Sequence, residues 1–146
     1  MTLENLARIG KLKRHVADKL EIARLLDSAE SAIRDASIER LSAASRLDLS
    51  YRAIMQACLV TMLASGFRPA TSEAGHHQLL VQALPKTIGL SPDRVRVLDA
   101  FRAARNQSDY GGRSVSDAMA QEAVDEAKRL LGEVRAWLKA KHPDVT

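Results

Sequence analysis

The sequence predicts an all-α fold, an antiparallel up-and-down bundle of about five helices. Three observations support this class. Of the 146 residues, 46% are hydrophobic but only 3% are aromatic, which predicts an aliphatic core. The three commonest residues, Ala, Leu and Arg, have high helix propensity, as does Glu. Apolar positions recur at spacings of three and four along most of the chain. The length suits one domain, which we expect to span 1–146.

Composition also bounds the cellular setting. The single cysteine, Cys58, lies in an apolar run, so we expect a core residue and a reducing compartment rather than a disulfide framework. No signal pattern opens the chain, and no apolar run approaches the length that spans a bilayer. We therefore expect a cytoplasmic protein that does not enter a membrane.

The net charge of +4 is unevenly distributed, because basic residues crowd the first segment. Such a stripe is typical of a solvated helix face, and it can also hold phosphates with salt-sensitive affinity. The sequence predicts that 1–20 form a basic N-terminal helix, either part of the bundle or peripheral to it. The basic residues are Arg8, Lys11, Lys13, Arg14, Lys19 and Arg24.

Residues 2–36 are predicted to be helical, in one piece or in two, with Gly10 as the weak point. The later half has one apolar stripe at spacings of four and three, which predicts a core-facing helix. Its members are Ile22, Leu26, Ala29, Ile33 and Ala36. Residues 37–50 lose this regularity and are predicted to be a connection with a helical turn or two.

A second helix is predicted over 51–65, ending at Gly66. It is apolar on most sides, so we expect it to be central, with its methionines filling the core. Residues 66–69 are predicted to form a turn, because Pro69 disfavours helical geometry in the residue before it. A short helix over 78–84 should follow, since Pro85 and Gly89 end the pattern.

Ser91-Pro92-Asp93 is a strong helix start, with a serine N-cap, proline at the first helical position and an acid in the first turn. This helix should run to about Tyr110, before two glycines. A last helix should begin at Ser114–Asp117 and end near Lys141, because apolar residues keep a three-or-four spacing over that stretch.

The end of the penultimate helix gathers the most polar cluster in the chain. Arg105 and Asp109 are four apart and share a helix face, Arg102 lies one turn earlier, and Asn106 and Tyr110 complete the set. Arginines can hold a phosphate by bidentate hydrogen bonds, which amide and phenol groups can support. The structural alternative is an Arg105–Asp109 ion pair with Tyr110 as a cap.

His76 and His77 are adjacent, so on a helix they point about 100° apart and cannot share a metal there. Neither Cys58, His15 nor His142 has ligand spacing to them. We predict no metal site and no cofactor. The sharper hypothesis is that one of the two imidazoles packs while the other faces Arg105 or Tyr110 as a donor or proton carrier.

Four motifs together resemble the HEPN superfamily, a group of small helical-bundle proteins. They are Ser50-Tyr51-Arg52-Ala53, Ala64-Ser65-Gly66-Phe67-Arg68-Pro69, Gly75-His76-His77 and Arg105-Asn106-Gln107-Ser108-Asp109-Tyr110-Gly111. In that superfamily an arginine, often followed by a polar residue, is separated from a histidine by four to six residues, and the two cleave RNA, typically across a dimer. Arg105 and Asn106 match the start, whereas Tyr110 occupies the histidine position.

The resemblance implies a homodimer, a toxin–antitoxin or defence context, and a partner such as a nucleotidyltransferase. Because an ordinary tyrosine pKa is about 10, Tyr110 is poorly suited to acid–base catalysis at neutral pH. The leading hypothesis is a non-enzymatic binding module that holds a nucleotide or RNA phosphate near Arg105 and Tyr110. The alternatives are an RNase toxin that uses Arg105 with His76 or His77, and a purely structural dimer.

Overall fold

The computed structural model describes residues 1–70 and 76–146. Gly75, part of one resemblance motif, lies outside the described residues. Within them, the chain is an all-α bundle with one short two-stranded ribbon, which confirms the predicted class. The helices are α1 (Leu3–Arg8), α2 (Lys19–Ala36), α3 (Ala43–Ala64), α4 (His76–Gln82), α5 (Leu84–Thr87), α6 (Pro92–Gly111) and α7 (Asp117–Lys141). The strands are β1 (Leu12–Arg14) and β2 (Phe67–Pro69), and a 3₁₀ turn spans Pro143–Val145.

Helix α3 is the central element, as predicted, and packs along both α2 and α7. It is apolar over most of its circumference, with Ile54, Val60 and Met62 fully buried. Cys58 is also buried, in agreement with the prediction. The remaining helices therefore surround α3, and α4 and α6 meet along one of its sides.

The predicted connection over 37–50 is shorter than expected: it covers 37–42, and the helical turns expected within it are the first two turns of α3, which begins at Ala43. Ser42 is its N-cap and accepts a hydrogen bond from the Ser45 amide at 3.1 Å. In the first turns of α3, some of the buried positions are occupied by polar residues. Arg46 is buried and donates to the Ala36 carbonyl at 2.9 Å and to Gln121 at 2.6 Å. An apolar-stripe criterion misses such a turn.

The N-terminal region departs from the predicted helix over 2–36. Helix α1 ends at Arg8, Gly10 adopts a left-handed φ of 82°, and β1 follows. The predicted turn over 66–69 is also wrong, since Phe67–Pro69 forms β2 and pairs antiparallel with β1. The basic residues of 1–20 are therefore divided between a helix, a strand and the start of α2. Leu6 and Leu12 join the core cluster, so this region packs onto the bundle.

The second half of the chain follows the prediction closely. Ser91 caps α6 by accepting from the Arg94 amide at 3.3 Å, and Gly112 ends it with a left-handed φ of 65°. Ser116 caps α7, which ends at Lys141. The predicted helix over 78–84 instead comprises α4 and the single turn α5. No helix in the described ranges is long and apolar enough to cross a membrane.

Candidate functional site

All five predicted ligand-binding residues lie on the last three turns of α6. The Arg105 guanidinium is the centre of the contacts. Its Nε is 3.3 Å from Asp48 Oδ1 on α3 and 3.7 Å from Asp109 Oδ2. Within the described ranges, neither Nη atom of Arg105 makes a hydrogen bond. The fork of this side chain therefore remains available to an anion.

A tyrosine ring from the central helix α3 packs against the Arg105 guanidinium. The Arg105 Cζ lies 5.0 Å from the centroid of the Tyr51 ring, a cation–π geometry. Tyr51 is only 3% exposed, so its ring is a fixed platform. Its hydroxyl is 3.3 Å from Nδ1 of His77, and the two rings meet edge-on at 6.0 Å between centroids. Tyr51 thus connects the arginine of α6 with the imidazole of α4.

The two adjacent histidines open α4 and lie against one another, with ring centroids 4.4 Å apart. The pKa of His77 is lowered from its ordinary 6.5 by partial burial, and further by His76 and by Arg105. At neutral pH the His77 imidazole is therefore uncharged. A neutral imidazole is the form that can accept a proton.

Burial raises the pKa of the Tyr51 phenol, and the lowering effects of Arg105 and Arg102 do not overcome it. The phenol consequently keeps its proton at neutral pH. The phenol can donate to Nδ1 of the neutral His77, or accept from Nδ1–H, depending on which ring nitrogen carries the imidazole proton. In both tautomers the hydrogen bond holds the ring in position.

Arg102 stands one turn before Arg105 and is held by Asp99, with Nε 2.7 Å from Oδ1. The Asp99 hydrogen bonds, countered in part by burial, raise the pKa of Arg102, so the side chain is a permanent cation. Next to it is a recess of about 220 Å³. Its lining is Tyr51, His76, His77, Gln78, Arg102 and Asn106. We call Tyr51, His76, His77, Arg102 and Arg105 the arginine–histidine cluster.

The structure places Tyr110 away from this cluster. Tyr110 is 88% exposed, and among the described residues no contact joins it to either histidine. The buried phenol of the cluster is Tyr51 instead, which sequence reasoning treated as part of an apolar stripe. Asp48 was also missed, because it lay in the supposed connection. A usable signal was their spacing of three, which puts both on one face of a helix that includes residue 48.

Three or more potential metal ligands do not come together anywhere in 1–70 and 76–146. No protein-family model matches the chain, and comparison with curated proteins gives no match either. The case for a function therefore depends on the side chains of the arginine–histidine cluster.

Proposed function

We propose that the chain is a HEPN-like binding module that holds the phosphate of a nucleotide or of RNA at the arginine–histidine cluster. The observation that carries the proposal is the arrangement of Arg105 over Tyr51, with Tyr51 bonded to His77. A guanidinium that is held at Nε by Asp48, while its Nη atoms make no hydrogen bond within the described ranges, matches bidentate phosphate recognition.

Neighbouring groups support the same ligand. Arg102 adds a second cation one turn away, and Asn106 lines the same recess with an amide that can donate to a phosphate oxygen. The recess of about 220 Å³ beside Arg102 suits a phosphate and part of a sugar rather than a whole nucleotide, and Arg105 borders a second recess that shares Tyr51 and His77 with it. The base would therefore extend outside the recess beside Arg102.

The resemblance extends the proposal to assembly. We propose a homodimer in a toxin–antitoxin or defence context, with a partner such as a nucleotidyltransferase. The exposed apolar side chains are compatible with a contact surface, since Val16 is 93% and Leu20 62% exposed. Sedimentation at micromolar concentration tests the dimer, and a monomer would contradict it.

Titration of purified protein with ATP and with a short single-stranded RNA, followed by thermal unfolding, tests the phosphate site. Arg105→Gln should weaken binding about 10- to 100-fold, because a charge-assisted hydrogen-bond pair is lost. Arg40→Gln is the matched control, since Arg40 is an exposed arginine on the loop before α3. If neither ligand raises the unfolding temperature at any excess, the phosphate site is refuted.

One observation favours a second candidate, RNA cleavage. Because its pKa is lowered, the His77 imidazole is neutral at neutral pH, as a general base must be. Arg102 and Arg105 lie close to it. In that reaction the His77 tautomer that donates Nδ1–H to the Tyr51 hydroxyl would take the proton of a ribose 2′-hydroxyl at Nε2, the 2′-oxygen would attack phosphorus, and the 5′-oxygen would leave with a proton from water. Arg102 and Arg105 would stabilise the phosphoryl charge. To test this, a mixed RNA pool is incubated with the protein and, separately, with its His77→Ala variant. Intact RNA in both incubations would refute RNA cleavage.

A further inference from the structure

A larger groove lies beside the arginine–histidine cluster, between α2, α3 and the β-ribbon. Its volume is about 850 Å³, within the range of small-molecule sites. Its apolar lining is aliphatic: Leu25 on α2, Met55, Leu59 and Leu63 on α3, and Leu80 on α4. We call this the α2–α3 groove. No phenylalanine, tyrosine or tryptophan is among its described lining, so the groove suits a flexible alkyl chain better than a planar ring.

The acidic groups at the groove are already engaged. Asp18 accepts the Leu20 amide at 3.1 Å as the N-cap of α2. Glu21 completes the capping box, and its Oε2 also lies 2.9 Å from Nε2 of His15. These hydrogen bonds commit both carboxylates to the local structure.

The two arginines of the rim are not engaged in this way. The side chains of Arg24 and Arg68 make no hydrogen bond or ion pair within 1–70 and 76–146. They stand on different elements, α2 and β2, and both line the groove. The charged rim groups without a partner in the described ranges are therefore the two guanidiniums, which lie above an aliphatic floor in a groove that Asp18 and Glu21 also line.

We propose that the α2–α3 groove binds a linear amphipathic anion, an aliphatic chain with a single carboxylate head. The chain would lie along Leu25, Leu59 and Leu63, and the head would pair with Arg24 and Arg68. Each guanidinium can donate two hydrogen bonds to a carboxylate in bidentate geometry. Burial of methylene groups supplies the remaining affinity, which therefore rises with chain length. The groove shares His76 and His77 with the arginine–histidine cluster. The proposal does not depend on phosphate binding, because the two arginines that would hold the head are not members of that cluster.

Isothermal titration calorimetry with decanoate, kept below its micelle concentration, tests the proposal. We expect one decanoate per chain, with hexanoate at least tenfold weaker because it has four fewer methylenes, and decanol at least tenfold weaker because it has no charge. Equal affinity for decanol and decanoate would overturn the role of the arginines, and no binding of decanoate would overturn the site.

Variants distinguish binding in this groove from nonspecific attraction to surface arginines. The double exchange Arg24→Gln and Arg68→Gln should weaken decanoate binding at least tenfold. Arg34→Gln is the matched control, because it is an exposed arginine further along the same helix and outside the groove. Leu59→Gln, in the half-buried floor, should weaken binding with both arginines in place. Decanoate affinity unchanged by the double exchange would refute the proposal, and so would an equal loss in Arg34→Gln.

Discussion

Arg94 on α6 and Glu133 on α7 are joined by two parallel hydrogen bonds, of 3.1 and 2.9 Å. The same guanidinium lies 3.2 Å from Glu126, and the Arg94 side chain is only 13% exposed. This fork ties the helix that carries Arg102 and Arg105 to the long C-terminal helix. The position of the arginine–histidine cluster therefore depends in part on a contact at the opposite end of α6.

Arg94→Ala should destabilise the fold by about 2–3 kcal/mol, because Glu126 and Glu133 lose the cation that offsets their partial burial. Urea denaturation measures the change. Arg96→Ala is the control, since Arg96 pairs with Asp93 at an exposed site and should cost less than about 1 kcal/mol. Equal losses for the two variants would contradict this assignment.

His77 should make the stability of the fold decrease at low pH. Its pKa in the folded chain is below 6.5, so the unfolded chain binds the proton more readily. The stabilisation is present above about pH 6.5 and is lost as the pH falls through that value towards the folded pKa. Proton NMR of the imidazole measures the pKa directly. His77→Gln should remove this part of the pH dependence of unfolding, and an unshifted His77 pKa would contradict the burial argument.

Tyr51→Phe should leave the pKa of His77 lowered, because the burial, His76 and Arg105 that lower it all remain. The ring under Arg105 is kept, so phosphate binding should change less than in Arg105→Gln. NMR titration and ligand titration of the same sample measure both effects. A His77 pKa that returns to its ordinary value would show that the contact with the Tyr51 hydroxyl, rather than burial, lowers it.

Tyr110→Ala should change neither stability nor phosphate binding by more than about 0.5 kcal/mol, because its side chain is almost fully in solvent. Thermal unfolding with and without ATP measures both. A large loss of affinity would restore Tyr110 as a ligand contact.

Cys58 should be inert in the folded protein. Burial raises the pKa of its thiol well above the ordinary value, so the reactive thiolate is suppressed. A chromogenic disulfide reagent should therefore react only as the chain unfolds, with a rate that increases with urea. Rapid labelling in buffer alone would mean that α3 opens locally.

The sequence predicted those parts of the fold that local signals specify. The structure confirms three predicted helix ends. Ser91 and Ser116 begin helices as N-caps, and Gly112 ends one with a left-handed φ. The β-ribbon could not be predicted in this way, because three residues on each strand carry too little pattern. Arg46 is a different case: a buried arginine is recognisable only once its acceptors, Ala36 and Gln121, are in place.

The sequence pointed to only the α6 side of the candidate site. Arg102, Arg105 and Asn106 share the end of one helix, which periodicity alone reveals. Tyr51 and His77 reach them from α3 and α4, and only the packing of those helices determines which tyrosine and which histidine face the arginines. Periodicity also did not show that the Tyr110 side chain is exposed to solvent.

The pairing of Lys13 with Arg68 has a consequence for how the chain folds. These residues are more than fifty positions apart, so closing the ribbon costs loop entropy that the bundle helices avoid. Helices α2 and α3 are neighbours in sequence and can pack before the ribbon exists. The last cooperative unit to form, and the first to open in hydrogen exchange, should therefore be the ribbon with α1. Because β2 borders the α2–α3 groove, ligand in that groove should slow exchange of the ribbon amides.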